Sequence, residues 1–546
     1  MKSHLRLLFA PLLLATALTK AETRSPISAD RIKEDVKNLS SDEFLGRGPG
    51  EPGEEKAMAY LAEAFGKAGL EPAGENGGWF QDVPLVRLDR LPGATLTLRV
   101  RDKTIPLALG QNATLGLRNP DRTTITDAPL VFAGYGVVDA EHGWNAYEGV
   151  DMSGKVAVVL ANDPDFEAGR DLGFEGRRLA YAGRVGVKFE MAAKAGAVGV
   201  IVIHEEAAAS YPFSQLSSGD ALPAMVAAPL NPSPLKFSSW LALDVAQDLL
   251  KRSKLTLAEL KKRAQDPKFR AFPLEGTSIS ASGDLKATPF VSHNVIAKLT
   301  GTIKPNEFIL YGAHYDANGQ NGPDKTGDNI RNGAVDNATG TSEVLEIARA
   351  FKAGEPPART VLLAAWTAEE KGLLGSDYYA GHPLYPLATT AAVINLDPHV
   401  VLPAARDLEL IGVGRTTLED DFARAASSVN LRVTPEPNPE AGWYFRSDHF
   451  PFARRGVPAL AFRAGRDLVE GGTAAGQKIV SAYNKNCYHQ PCDQFDPHWT
   501  FAGTAQEATV AYFLGRDLAN SGAWPTWKEG IEFKKIREQT DAERTK

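Results

Sequence analysis

Seven side chains in the second half of the chain combine types and spacing suited to metal chemistry. His314 and Asp316 close the apolar run EFILYGAH-YD, the pair Glu369-Glu370 follows TVLLAAWTA, and Asp397 follows AAVINL. Asp336 stands in the turn GAVDNATG ahead of a helical stretch, and His489 lies far downstream in CYHQPCDQFD. Burying several carboxylates is costly unless positive charge is close by, so their convergence asks for a cation. His314, Asp336, Glu370, Asp397 and His489 satisfy the ligand arithmetic of two zinc ions if Asp336 bridges them. Each ion then has about three N or O ligands from the protein, with a shared water completing the set. Zinc lowers the pKa of such a water towards ~7. Adjacent glutamates do not readily bind one metal in the same way, which leaves Glu369 facing the water as general base. Asp316, two residues beyond His314 on an extended strand, is placed to orient that imidazole.

The elements that must position these groups are legible as alternation. From Asn294 onward EFILYGAH, TVLLAAWT, AAVINLD, LELIGVG and VPALAFRA read as strands, with TSEVLEIARAFKAG and LEDDFARAASSV as amphipathic helices between them. This predicts an α/β unit with a mixed, largely parallel sheet flanked by helices. Ligands of such sheets bind outside the carboxyl ends of the strands, where three of the acid- or histidine-bearing segments fall. Upstream, Ser28 is a cap for ADRIKEDVKNL, and Pro52–Leu70 is a second helical stretch. Between them lies the Gly- and Pro-rich loop LGRGPGEPG. Residues 80–120 read as short strands such as ATLTLRV. From about Asp127, APLVFAGYGVV, GKVAVVLAND and AVGVIVIHEE mark a compact unit with its own sheet.

Composition narrows the function classes. The chain has 546 residues, 43% hydrophobic, with a net charge of −7, so no basic field favours nucleic acid. Its two cysteines exclude a disulfide scaffold and a four-cysteine zinc ribbon. Lys2 and Arg6 precede the apolar run Leu7–Thr19, interrupted by Pro11, and small residues follow to Ala21. That layout predicts a signal peptide over residues 1–21 and a protein exported to the periplasm or secreted, with no membrane association after cleavage. There is no GxSxG elbow for serine hydrolysis.

YGAHYDANG, NGAVDNATG, WTAEEKGLLGS, VINLD, RSDHFPFARRGVPAL and YHQPCDQFD resemble the zinc-dependent exopeptidases that include bacterial leucyl aminopeptidases and glutamate carboxypeptidase II. SSDEFLGRGPGEPGEEKAMAYLAEAF resembles the N-terminal stretch of that family. Residues 127–270 are similar to a protease-associated (PA) domain. The resemblance implies a discontinuous peptidase domain (28–125 and 285–525) and a smaller β-rich insert (126–270), while the charge density of the remaining tail (526–546) reads as a solvated end. It assigns one zinc to His314, Asp336 and Asp397, the other to Asp336, Glu370 and His489, with Glu369 as base. It also implies a non-proline cis peptide after Asp336.

Tyr488 matches a tyrosine that holds the oxyanion in some relatives. Asp448, His449 and Arg446 are placed as substrate-pocket residues, and Arg463 lies in a segment that could face the cleft. In an oxidising compartment Cys487 and Cys492 are expected to form a disulfide that fixes the loop of His489, worth about 2 kcal/mol. The expected activity is aminopeptidase hydrolysis of peptides. Carboxypeptidase action of the glutamate carboxypeptidase type is the alternative, and a single-zinc glutaminyl-cyclase-like acyltransferase a more distant one.

Overall fold

A computed structural model describes residues 26–140, 142–220, 222–398 and 400–544. The expected signal peptide lies outside the described residues. The larger sheet takes its principal strands from β1 (Phe80–Arg90), β2 (Ala224–Ala227), β3 (Leu285–Leu299), β4 (Lys304–His314), β5 (Arg359–Trp366), β6 (Thr390–Leu396), β7 (Asp407–Ile411), β8 (Arg432–Pro435) and β9 (Ala459–Ala464). They lie in the order β2-β1-β3-β5-β4-β6-β9-β7-β8, with Glu71–Pro72 paired beside β3. The central four strands, β5-β4-β6-β9, run parallel. β3 and β1 continue antiparallel on one side, and β7 turns antiparallel to β9 on the other.

Continuous apolar runs suit strands covered on both faces. Every residue of β5 and β6 is buried. Tyr311 and Ala313 of β4 pack with helices Ala29–Leu39, Pro52–Lys67, Gly340–Ala353 and Ala502–Ser521. Phe308 and Leu310 alternate onto the opposite face, against Tyr379, Phe450 and Phe452. Ser28 caps the first of these helices, its hydroxyl accepting the Arg31 N–H at 3.3 Å, as the sequence indicates.

The second sheet has eight strands. Thr123–Phe132, Val156–Leu160, Gly199–Ile203 and Phe237–Leu241 form a parallel core. Phe272–Gly283, Thr95–Val100 and Lys103–Pro106 extend it antiparallel on one edge. This sheet therefore draws on residues 95–106 and 272–283, outside the 126–270 expected for the insert. Conversely β2, within that span, pairs with β1 of the larger sheet. Alternation identifies strands such as TLTLRV, but pairing partners are set by tertiary packing.

The C-terminal segment also departs from expectation. It is docked rather than solvated. Trp527 and Phe533 are buried in the core beside β6 and β9, the Trp527 indole N–H donates to the Gly456 carbonyl at 2.7 Å, and Arg537 donates to the carbonyls of Leu387 and Thr390. Its charge density conceals two aromatics that anchor it. Among the described residues no helix is long and apolar enough to cross a membrane.

Candidate metal centre

β5, β4 and β6 lie side by side and parallel, so their carboxyl ends share one rim. His314 is the last residue of β4, Asp397 follows β6 directly, and Glu369-Glu370 follow β5 after a turn in which Ala368 takes φ +53°. Asp336 arrives from the turn before helix Gly340–Ala353. That helix starts on glycine because its first residue abuts the end of β6: a Cβ on Gly340 would sit 2.2 Å from the Leu396 carbonyl oxygen. His489 completes the rim from a loop closed by the Cys487–Cys492 disulfide. The peptide between Asp336 and Asn337 is cis.

These side chains form two triads with Asp336 in common, His314-Asp336-Asp397 and Asp336-Glu370-His489. His314 Nε2 lies 3.3 Å from Asp336 Oδ1 and 3.7 Å from Asp397 Oδ1. His489 Nε2 lies 3.1 Å from both Asp336 Oδ2 and Glu370 Oε2. Ligands about 2.0–2.1 Å from a tetrahedral zinc stand about 3.3–3.4 Å from one another, so both triads have the spacing of zinc ligands. His314 Nε2, buried among these oxygens, makes no hydrogen bond, as befits a ligand atom facing a cation position. Glu369 stands across the first triad, its Oε2 3.8 Å from His314 Nε2. The adjacent glutamates thus serve different sides of the cluster.

Electrostatics point the same way. Burial would lower His314, but Glu369, Asp316, Asp336 and Asp397 hold its imidazole well above the ordinary value. His489 is raised by Glu370 and Asp336 against the same effect of burial. Burial also opposes ionisation of Asp336, yet the two imidazoles keep its carboxyl below the usual range. Burial and the carboxylates of Asp448, Asp397 and Glu370 push Glu369 well above it. The cluster draws positive charge onto every nitrogen it contains.

Around this centre the expectations meet mixed outcomes. The imidazole Nδ1 of His314 faces the backbone carbonyl of Asp316 at 3.1 Å, and the Asp316 carboxylate is farther, at 3.6 Å. That carboxylate instead accepts the Glu369 N–H at 3.0 Å and the Glu370 N–H at 3.4 Å. Asp316 therefore places the glutamate pair as well as the histidine. A cavity of about 300 Å³ opens over the triads, and Arg446, His449, Arg463 and Tyr488 line it. Arg446 stacks on Trp443 at 4.2 Å and reaches the Tyr488 hydroxyl at 3.5 Å. Tyr488 stacks on His489, ring centroids 3.8 Å apart. His449 is pushed down to about 4 by burial and is neutral. Arg463 is tied to Glu409 at 2.9 Å. Asp448 does not line the cavity: its buried carboxyl accepts the Ser376 hydroxyl at 2.5 Å and is raised to about 7 by burial.

Three participants escaped the sequence reading. Asp493, four residues beyond His489, accepts the backbone N–H groups of Val335 and Asp336 and the Tyr483 hydroxyl. Ser447 donates to Asp397 Oδ2 at 2.5 Å and accepts from Asn395. Arg184, from the insert, lines the cavity wall. Asp493 and Ser447 sit inside the motifs CYHQPCDQFD and RSDHF, a signal that was available. Arg184 has none, since it reaches the site only through domain packing.

Comparison with known proteins agrees with this arrangement. Residues 294–513 match peptidase family M28, and residues 125–228 match the PA domain. The chain is 28% identical over 208 residues to leupeptin-inactivating enzyme 1 of Streptomyces exfoliatus, covering 37% of this chain and 43% of that one. It is 29% identical over 216 residues to a glutamate carboxypeptidase 2 homolog of Caenorhabditis elegans, covering 34% and 26%. The chain thus spans less than half the length of these curated relatives. The fold is similar to that of an aminopeptidase from Aneurinibacillus sp. strain AM-1, with a TM-score of 0.53, 19% identity, and coverage of 91% and 95%. The rim that gathers the triads therefore lies within residues 294–513, the stretch that matches peptidase family M28, and the stretch that matches the PA domain, 125–228, precedes it.

Proposed function

We propose that this chain is an exported two-zinc exopeptidase, an aminopeptidase that removes N-terminal residues from peptides. The observation that carries the reading is the pair of triads sharing Asp336, each at zinc-ligand spacing, with Glu369 free beside them. His314, Asp336 and Asp397 would hold one ion, and Asp336, Glu370 and His489 the other. Zinc bound there supplies a Lewis acid for the scissile carbonyl and lowers the pKa of a water. Glu369 takes a proton from the attacking water and delivers it to the leaving amine, which balances hydrolysis to a carboxylic acid and an amine. Tyr488 is positioned over His489 to donate its hydroxyl to the developing oxyanion. Asp316 holds the Glu369 backbone, and Ser447 fixes the orientation of Asp397. The Cys487–Cys492 disulfide supports an oxidising compartment and hence export. Two complete triads favour two ions over the single zinc of a cyclase-like acyltransferase.

Arg184 and Arg446 on the cavity wall favour a second reading, carboxypeptidase action. Neither forms an ion pair with a carboxylate among the described residues, and guanidinium groups suit a terminal carboxylate. Aminoacyl-anilides assayed beside N-blocked dipeptides with free C-termini decide the direction. Cleavage of the anilides alone, with about two zinc per chain, is the expected result. Cleavage of only the blocked dipeptides reverses the direction, and a chain that takes up no zinc removes the hydrolase reading.

A further inference from the structure

Arg47, in the loop LGRGPGEPG, has no part in the chemistry above, yet its side chain is wholly buried beneath the cluster. Its Nε donates to the Tyr315 carbonyl at 2.6 Å. One terminal nitrogen donates to the carbonyls of Leu39 (2.5 Å) and Asn332 (2.7 Å), and the other to that of Gly333 at 2.9 Å. All four acceptors are backbone carbonyls, and no ion pair joins this guanidinium to a carboxylate among the described residues. A buried charge without a direct partner is costly, so its retention needs a reason.

The acceptors supply one. Tyr315 lies between His314 and Asp316, while Asn332 and Gly333 lead into the turn that presents Asp336. One planar fork therefore spans two of the three segments that bring the first triad together, those of His314 and Asp336. Asn332 fastens the same turn to the N-terminal segment a second time, its Nδ2 donating to the Ser40 carbonyl and to Asp42, each at 2.9 Å. Gly333 takes φ +56°, and a Cβ there would meet the Asp336 carbonyl at 2.3 Å and the Arg47 guanidinium at 3.0 Å. The fit around the fork leaves no room for slack. The carboxylates of Asp493, Asp316, Asp336 and Glu370 act electrostatically on its charge.

We propose that Arg47 is a positioning residue of the metal centre, setting the spacing between His314 and Asp336 and offsetting the carboxylates with a fixed charge. The inference rests on the two-zinc reading, and zinc affinity tests it. Arg47→Lys keeps the charge but loses the fork. Chelator competition should show its zinc binding weakened about 10–100-fold, the usual effect of disturbing groups that orient metal ligands. Arg359→Lys is the control. Arg359 is as buried, at the opposite end of β5, where it bonds Glu307 and the carbonyls of Leu518 and Ala523. It should lose melting temperature with zinc affinity unchanged. Asn332→Ala should weaken zinc in the same direction by less, and it decides the matter if Arg47→Lys does not fold. A wild type that holds no zinc removes the two-zinc reading itself. A zinc-binding wild type whose Arg47→Lys and Asn332→Ala variants bind equally tightly overturns the role of Arg47, as does an equal loss of affinity in Arg359→Lys.

Discussion

Both sheets of this chain run parallel strands into acids and histidines, and among the described residues only one of them gathers these into groups that could hold a metal ion. In the smaller sheet, Val156–Leu160 leads to Asn162-Asp163 and Gly199–Ile203 to His204. There the lone pairs are consumed locally. Asp163 accepts the N–H groups of Asp165 (3.1 Å) and Ala180 (2.9 Å), and the buried Lys188 ammonium nearby is held by the carbonyls of Tyr135 and Asn162. Asp165 accepts three further backbone N–H groups, and His204 Nε2 lies 3.0 Å from the Tyr211 carbonyl. In the larger sheet the corresponding atoms face one another, and His314 Nε2 is left without a hydrogen bond. A strand end supplies the residue types. What separates a site from a satisfied turn is convergence of donor atoms that the backbone has not already engaged.

The sharpest break in this comparison comes from paired substitutions. Glu369→Gln should leave zinc content unchanged and lower kcat by about 10²–10⁴-fold, the range of a lost general base. Metal analysis and steady-state kinetics on the same preparation check it, and substantial residual turnover would move the proton transfer to another residue. Asp163→Ala should do the reverse, leaving zinc content and kcat intact in folded protein. Leaving the buried N–H groups of Asp165 and Ala180 without their acceptor costs about 1–3 kcal/mol each, read here as a lower urea midpoint and faster proteolysis of the insert. Loss of zinc from Asp163→Ala would make the two sheets less different than the hydrogen bonds indicate.

The sequence exposed the groups that sit at the ends of apolar runs and concealed those that act through backbone atoms. His314, Glu369-Glu370 and Asp397 follow runs whose strand character is unmistakable, and β4, β5 and β6 do bring them to one rim. Asp336 and His489 lie in turns, and the family resemblance rather than periodicity joined them to the set. Asp493 reaches Val335 and Asp336 by accepting N–H bonds across more than 150 residues, a contact that its place in the motif CYHQPCDQFD does not by itself disclose. Arg47 is hidden for the same reason, since its partners are four carbonyls. Strand Thr95–Val100 was legible as a strand and not as a member of the smaller sheet, because alternation carries no address. The C-terminal tail misled through composition: its charges outnumber Trp527 and Phe533, but those two rings decide where it lies.

A third kind of buried acid refines the comparison with the smallest effect. Glu343 on helix Gly340–Ala353 and Glu507 on helix Ala502–Ser521 are fully buried. Both oxygens of Glu343 and one of Glu507 make no hydrogen bond, while the other oxygen of Glu507 accepts the Ala464 N–H at 3.1 Å. Here one backbone N–H serves four carboxylate oxygens, which favours the protonated forms. Burial, with the Glu507 carboxylate adding to it, raises Glu343 well above the carboxylate range. Burial likewise raises Glu507 to about 8. Folded values above unfolded ones give stability that is fully present below pH about 4 and is lost as pH rises towards 8. Glu343→Gln keeps the shape and removes one of the two titrations. It should raise stability relative to wild type increasingly as pH rises above about 4, with little change near pH 4. Melting temperatures of wild type and variant across pH 5–9 check this. Parallel curves would mean that the pair is already ionised and a cation, rather than a proton, lies between the two carboxylates.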